Sequence, residues 1–203
     1  PIEGSKQEIM LARLNYDSKS YDLYRANYKT GAMTLLFENP GNVSNFTFDH
    51  TGALRLVTAT DEAAGTHVLM RKNPGSGGTA FVASEWEEIF YWDYDDAGSS
   101  GVYGFMQDNT RILYVDSSVS NTSALMTYNP ETRERVQIFN DPGYDISGTW
   151  TDLGIDKVTA VTTYSQKTEW HVLDESFRDD YDALSAIGGS FNIYDSSDGD
   201  AYW

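Results

Sequence analysis

Short alternating runs of apolar residues, each closed by a polar turn, recur along this 203-residue chain. Tyr21-Asp22-Leu23-Tyr24-Arg25-Ala26-Asn27-Tyr28-Lys29-Thr30-Gly31 shows the unit. Leu23 follows Tyr21 by two positions, and Tyr24, Ala26 and Tyr28 take the opposite parity. Successive side chains of a strand point to opposite faces, so this spacing predicts a half-buried strand. Lys29-Thr30-Gly31 supplies a turn with a glycine free to take positive φ. Met33, Leu35 and Phe37 then resume the alternation.

Turns of one kind begin at Asp49, Gln107, Asp152 and Asp195, about 40–60 residues apart, the spacing of four-stranded repeat units. Outer hairpins are expected at Asp22–Gly31, His67–Gly77 and Ser123–Arg133. One four-stranded sheet cannot bury both faces alone, but stacked sheets bury each other, which is the logic of β-propeller blades. The expectation is an all-β chain: a partial or open β-propeller, read as one segment over residues 1–203. It holds about four blades, with breaks near 41, 87, 143 and 189. A two-sheet sandwich is the alternative, since it also has many short strands.

Within this frame Thr79–Ser84 reads as the fourth strand of the second group. The aromatic run Ile89-Phe90-Tyr91-Trp92 reads as the start of the third. Trp170, Leu173, Phe177, Tyr181, Leu184 and Ile187 sit three or four apart, so a helical insertion is expected near 170–187. Phe191–Tyr194 reads as one more strand, and Tyr202-Trp203 as the opening of its partner.

Aromatic residues make up 14% of the chain, which favours strands over disorder. The net charge of −17 excludes a nucleic-acid partner, which needs a basic surface to displace counterions. It also disfavours an anionic membrane, and no apolar run reaches the ~20 residues of a membrane helix. The absence of cysteine removes disulfides, zinc–thiolate sites and cysteine nucleophiles. A periplasmic or secreted location is favoured over the cytoplasm.

No catalytic, cofactor or metal residue is singled out. G-x-S-x-G and H-E-x-x-H are both missing, and His50, His67 and His171 stand apart. Asp93-Tyr94-Asp95-Asp96 opens like a calcium loop, but its twelfth position is Gly104, not the bidentate glutamate such loops use. Asp174, Glu175, Asp179, Asp180 and Asp182 read as a solvated face. Glu87 and Glu88 are neighbours in a strand and so are expected on opposite faces. Sequons occur at Asn42, Asn45 and Asn121.

Asp22-Leu23-Tyr24-Arg25, Lys29-Thr30-Gly31, Leu35-Leu36 and Asn39-Pro40-Gly41-Asn42-Val43 together resemble a known family. It is the N-terminal propeller of prolyl-oligopeptidase-type serine peptidases, with the acylaminoacyl-peptidase-like branch most similar. The Leu125–Asn129 hairpin, the Trp170–Asp174 segment and Ser196–Trp203 are similar too, so the resemblance runs from about residue 9 to 203. It implies a non-catalytic module that caps a C-terminal α/β-hydrolase domain carrying a Ser-Asp-His triad. Such a module filters peptide substrates by size. No triad residue can be carried onto this sequence. The alternative is a stand-alone propeller that binds protein or glycan.

Overall fold

The computed structural model describes residues 7–75, 78–152, 157–189 and 191–193. The turns expected at Asp152–Asp156 and Asp195–Asp200, and the run Ser196–Trp203, lie wholly or mostly outside the described residues.

Among the described residues, fourteen strands form four antiparallel sheets. The first is β1 (Glu8–Asn15), β2 (Ser20–Asn27) and β3 (Met33–Phe37). The second is β4 (Val43–Phe48), β5 (Leu54–Thr60), β6 (Thr66–Arg71) and β7 (Trp86–Trp92). The third is β8 (Gly101–Phe105), β9 (Ile112–Asp116), β10 (Ala124–Asn129) and β11 (Glu134–Asn140). The fourth is β12 (Ile146–Asp152), β13 (Lys157–Tyr164) and β14 (Thr168–Val172). Within every sheet the spatial order is the chain order. This meander is the blade pattern of a β-propeller; a two-sheet sandwich would add Greek-key crossings from one sheet to the other.

The chain divides into two compact units, Pro1–Gly98 and Ser99–Trp203, with two sheets in each. In the first unit Leu23 and Phe37 of one sheet meet Val57, Ala59 and Trp86 of the other. Phe37 is the hub, edge-on to Phe46, Phe81 and Trp86 at 5.6, 6.2 and 5.9 Å between ring centres. In the second unit Leu113, Val115 and Leu125 meet Val158 and Val161. Each such valine, leucine or phenylalanine contributes about 1.5–3 kcal/mol when taken out of water.

Four expectations are corrected. Thr79–Ser84 is not a strand: Ala80 makes an isolated bridge to Glu38, and Ala83–Glu85 is a 3₁₀ turn. The aromatic run belongs to β7, which pairs with β6 and closes the second sheet. The boundary expected near 87 therefore lies within a strand. The physical reason is that Glu38 takes the carbonyl of Thr79 at 2.7 Å. That bond draws the connector to the first sheet and leaves β6's free edge to Trp86–Trp92. The helical segment is also shorter than its spacing suggested. Residues 168–172 form β14, followed by a 3₁₀ turn at Glu175–Phe177 and α2 at Arg178–Ala186. Residues 191–193 carry no strand; Phe191 stacks on Trp170 at 5.4 Å and accepts its indole N–H at 3.2 Å.

Candidate functional site

Acidic and amide side chains do much of the turn-building. Asp49 Oδ1 accepts the backbone N–H groups of Thr51 and Ala53, both at 3.0 Å. Asp61 Oδ1 accepts from Ala63 and Gly65, both at 2.8 Å, and Asp108 Oδ1 from Thr110 and Arg111 at 2.8 and 2.9 Å. Asn27 and Asn129 hold their hairpin turns in the same way. A carboxylate bonded to its own backbone fixes a turn where water would otherwise compete. Asp49, Asp61 and Asp108 accordingly hold their carboxyl pKa values below the usual range.

The acidic clusters resolve into the same chemistry. Asp93 caps α1 (Tyr94–Ala97), its Oδ1 accepting from Asp95 and Asp96 at 3.0 and 3.2 Å. Asp174 accepts from the Ser176 N–H at 3.0 Å and from Lys157 Nζ at 3.0 Å. These bonds, the Ser176 backbone first, hold its pKa at about 2. Asp179 and Asp180 lie in the first turn of α2, where the helix dipole favours negative charge. Among the described residues no group of three or more metal-ligating side chains could hold an ion.

The histidines have different fates. His171 Nε2 lies 2.9 Å from Thr163 Oγ1, but Thr163 is fully buried and presents no nucleophile. His50 sits in the Asp49–Ala53 turn. His67 on β6 is gripped from both sides: Nδ1 is 2.6 Å from Glu88 Oε2, and Nε2 is 3.1 Å from Asp61 Oδ2. Its ring lies 4.7 Å from that of Tyr91. The Glu88 bond, more than the Asp61 bond, pushes the histidine pKa up.

A β-bulge makes this cluster possible. Val68 faces Phe90 but Leu69 faces Glu88, so Ile89 is an extra residue in β7. Glu88 and Tyr91 are three apart and would lie on opposite faces of a regular strand. The extra residue brings both to His67. Glu87 pairs with Met70 and Glu88 with Leu69 in unbroken register, so the two lie on opposite faces as expected, and both are exposed. With a carboxylate on each ring nitrogen, His67 acts as a clamp between the β5–β6 turn and β7. The sequence carries one local sign of it, the Asp61-to-Gly65 turn signature.

The family-resembling run builds a second cluster. Asp22 and Asn39 are 5% and 3% exposed. Asp22 Oδ1 accepts the Asn39 backbone N–H at 2.8 Å, and Asp22 Oδ2 accepts from Asn15 Nδ2 at 2.9 Å. Asn39 Nδ2 donates to the carbonyls of Tyr21 and Val43 at 3.1 and 2.8 Å. Its Oδ1 accepts from Gly41 and Val43 at 2.9 and 3.2 Å. One amide thus ties the end of the first blade to the start of the second. In the other unit Asp141-Pro142-Gly143 occupies the corresponding connector, with Asp141 Oδ1 accepting from Gly143 at 2.8 Å.

No family model matches the chain. It is 27% identical over 180 residues to dipeptidyl aminopeptidase BIII of Pseudoxanthomonas mexicana, covering 89% of this chain and 25% of that protein. The chain therefore spans about a quarter of that relative's length. Among solved structures, TolB from Acinetobacter baumannii superposes with a TM-score of 0.56 at 10% identity, covering 83% of this chain and 39% of that one. The β-propeller domain of the Trilobed protease from Pyrococcus furiosus gives 0.46 at 13% identity, over 86% and 65%. The resemblance to the propeller of prolyl-oligopeptidase-type peptidases is thus met by a relative that aligns with most of the chain. The chain is a propeller segment that is similar, over most of its length, to part of a dipeptidyl aminopeptidase.

Proposed function

We propose that this chain is the non-catalytic propeller part of a prolyl-oligopeptidase-type serine peptidase. It works beside a C-terminal α/β-hydrolase domain that carries the Ser-Asp-His triad. As one propeller segment, it caps the hydrolase active site and admits peptides by size. The observation that carries this reading is the 27% identity to a dipeptidyl aminopeptidase over 89% of the chain. His67 has both nitrogens on carboxylates, and His171 faces a buried hydroxyl. The buried side-chain bonds serve turns and connectors.

Size filtering is tested on the longer protein that carries this chain. The same cleavable sequence is presented in a short peptide and in a long unfolded polypeptide. The expected kcat/KM is at least ~10-fold lower for the long substrate, a difference in transition-state access. Equal values would contradict a filtering role.

A further inference from the structure

Three residues of the Asp22–Arg25 run have clear structural duties. Asp22 bonds Asn39, Leu23 enters the core, and Tyr24 lies under the Arg13 guanidinium at 6.0 Å. Arg25 has none. It stands in register between Met10 and Thr34, and its side chain makes no hydrogen bond, ion pair or ring contact among the described residues. In a chain with 31 acidic and 14 basic residues, an arginine left without an acid is unexpected.

Arg25 lines a cavity of about 430 Å³ in the first unit. Arg71 lines it too, with Leu35, Leu36 and Leu54 as apolar wall, and no acidic residue borders it among the described residues. Arg71 is 8% exposed and held in place. Its Nη2 donates to the Gly78 carbonyl at 3.2 Å and lies 3.6 Å from Glu85 Oε2, and its guanidinium sits 5.4 Å from the Trp86 ring. Its Nε has no hydrogen-bond partner among the described residues. One arginine is thus fixed and partly neutralised, while the other is exposed and keeps its full charge.

Guanidinium groups match planar carboxylates through paired N–H donors. Small-ligand sites combine apolar walls with a few polar anchors, at about 300–1,000 Å³. We propose that this cavity binds the C-terminal residue of a peptide. The carboxylate is held by Arg25 and Arg71, and an apolar side chain lies against the leucines. A free inorganic anion would leave the leucine wall unused. The proposal rests on the reading that this module meets peptides.

Calorimetry on the chain tests it with three probes: N-acetyl-Ala-Leu with a free carboxylate, the same peptide as its C-terminal amide, and inorganic phosphate. The free acid is expected to bind at least ~10-fold more tightly than the amide, and phosphate not to compete. R25A and R25Q, at an exposed position, should fold normally and lose the acid–amide difference. Equal binding of acid and amide, unchanged affinity in both variants, or binding of phosphate alone would overturn the proposal. Failure here beside peptide cleavage by the longer protein would sink the cavity alone. Acid-selective binding in a longer protein without peptidase activity would sink the peptidase reading alone.

Discussion

Asp22 Oδ1 accepts the backbone N–H of Asn39 at 2.8 Å, across seventeen positions of chain, and both residues are buried. Asn39 then spends its side-chain amide on the Val43 and Tyr21 carbonyls and on the Gly41 and Val43 N–H groups. The run that carries the family resemblance is therefore joinery between two blades. A buried polar network of this kind keeps its geometry only when every member is satisfied.

Asn39→Ala strands the buried Val43 N–H and carbonyl without replacing either partner. The expected loss is about 2–3 kcal/mol of folding stability. Asn39→Asp should cost at least as much, because its second oxygen would face the Tyr21 and Val43 carbonyls with a buried charge in place of a donor. Urea unfolding of both variants measures the difference.

Gly31 closes its hairpin at φ +74°, and Arg133 holds the corresponding place at φ +60°. Left-handed backbone costs a residue with a Cβ about 1–2 kcal/mol. Gly31→Ala should therefore lose about 1 kcal/mol. Arg133→Gly should gain about 0.5 kcal/mol, since glycine's unfolded-state entropy offsets part of the relief. Thermal melts of the two variants should move in opposite directions.

His67 makes stability depend on pH. Its folded pKa is raised by Glu88 and then Asp61. The stabilisation is fully present below the unfolded histidine value of about 6.5. It is lost as pH rises through the folded value. The lowered Asp61 and Asp174 values act on the acid side, present above about 3.9 and lost as pH falls through their folded pKa. Stability should peak between these limits. His67→Gln should flatten the alkaline decline and leave the acid decline in place. NMR titration of the His67 ring gives a direct reading, with a midpoint above that of an unfolded control.

Gly65 sits against the same clamp. A Cβ there would lie 2.8 Å from the Tyr91 hydroxyl and 3.0 Å from Asp61 Oδ2. Gly65→Ala should cost about 1 kcal/mol, limited because the exposed Tyr91 ring can swing aside. Adding Tyr91→Ala should reduce that cost, and a double-mutant cycle measures the coupling.

The hairpins were legible in the sequence because their signals are local. Asn27, Asp49, Asp108 and Asn129 each announce a turn within four residues, and apolar alternation frames it. The second sheet was misread at β7 because its partner β6 lies beyond a long connector, which is anchored by a Glu38–Thr79 bond that no local pattern reveals. Trp170 and Leu173 fit a helical period only by coincidence; the pairing of Trp170 with Thr162 puts the former on a strand. The His67 clamp is hidden in the sequence because Glu88 and Tyr91, three apart, come to one face only through the bulge at Ile89. Arg25 and Arg71 come from different blades, and only the fold brings them to one cavity.

The central claim is that this chain shapes access to chemistry performed elsewhere. Treating the chain and the longer protein with a fluorophosphonate probe, then assaying peptide amides, tests it most directly. The account predicts that residues 1–203 are neither labelled nor active, while the longer protein is labelled outside them and loses activity. Labelling within residues 1–203, with turnover by the chain alone, would contradict it.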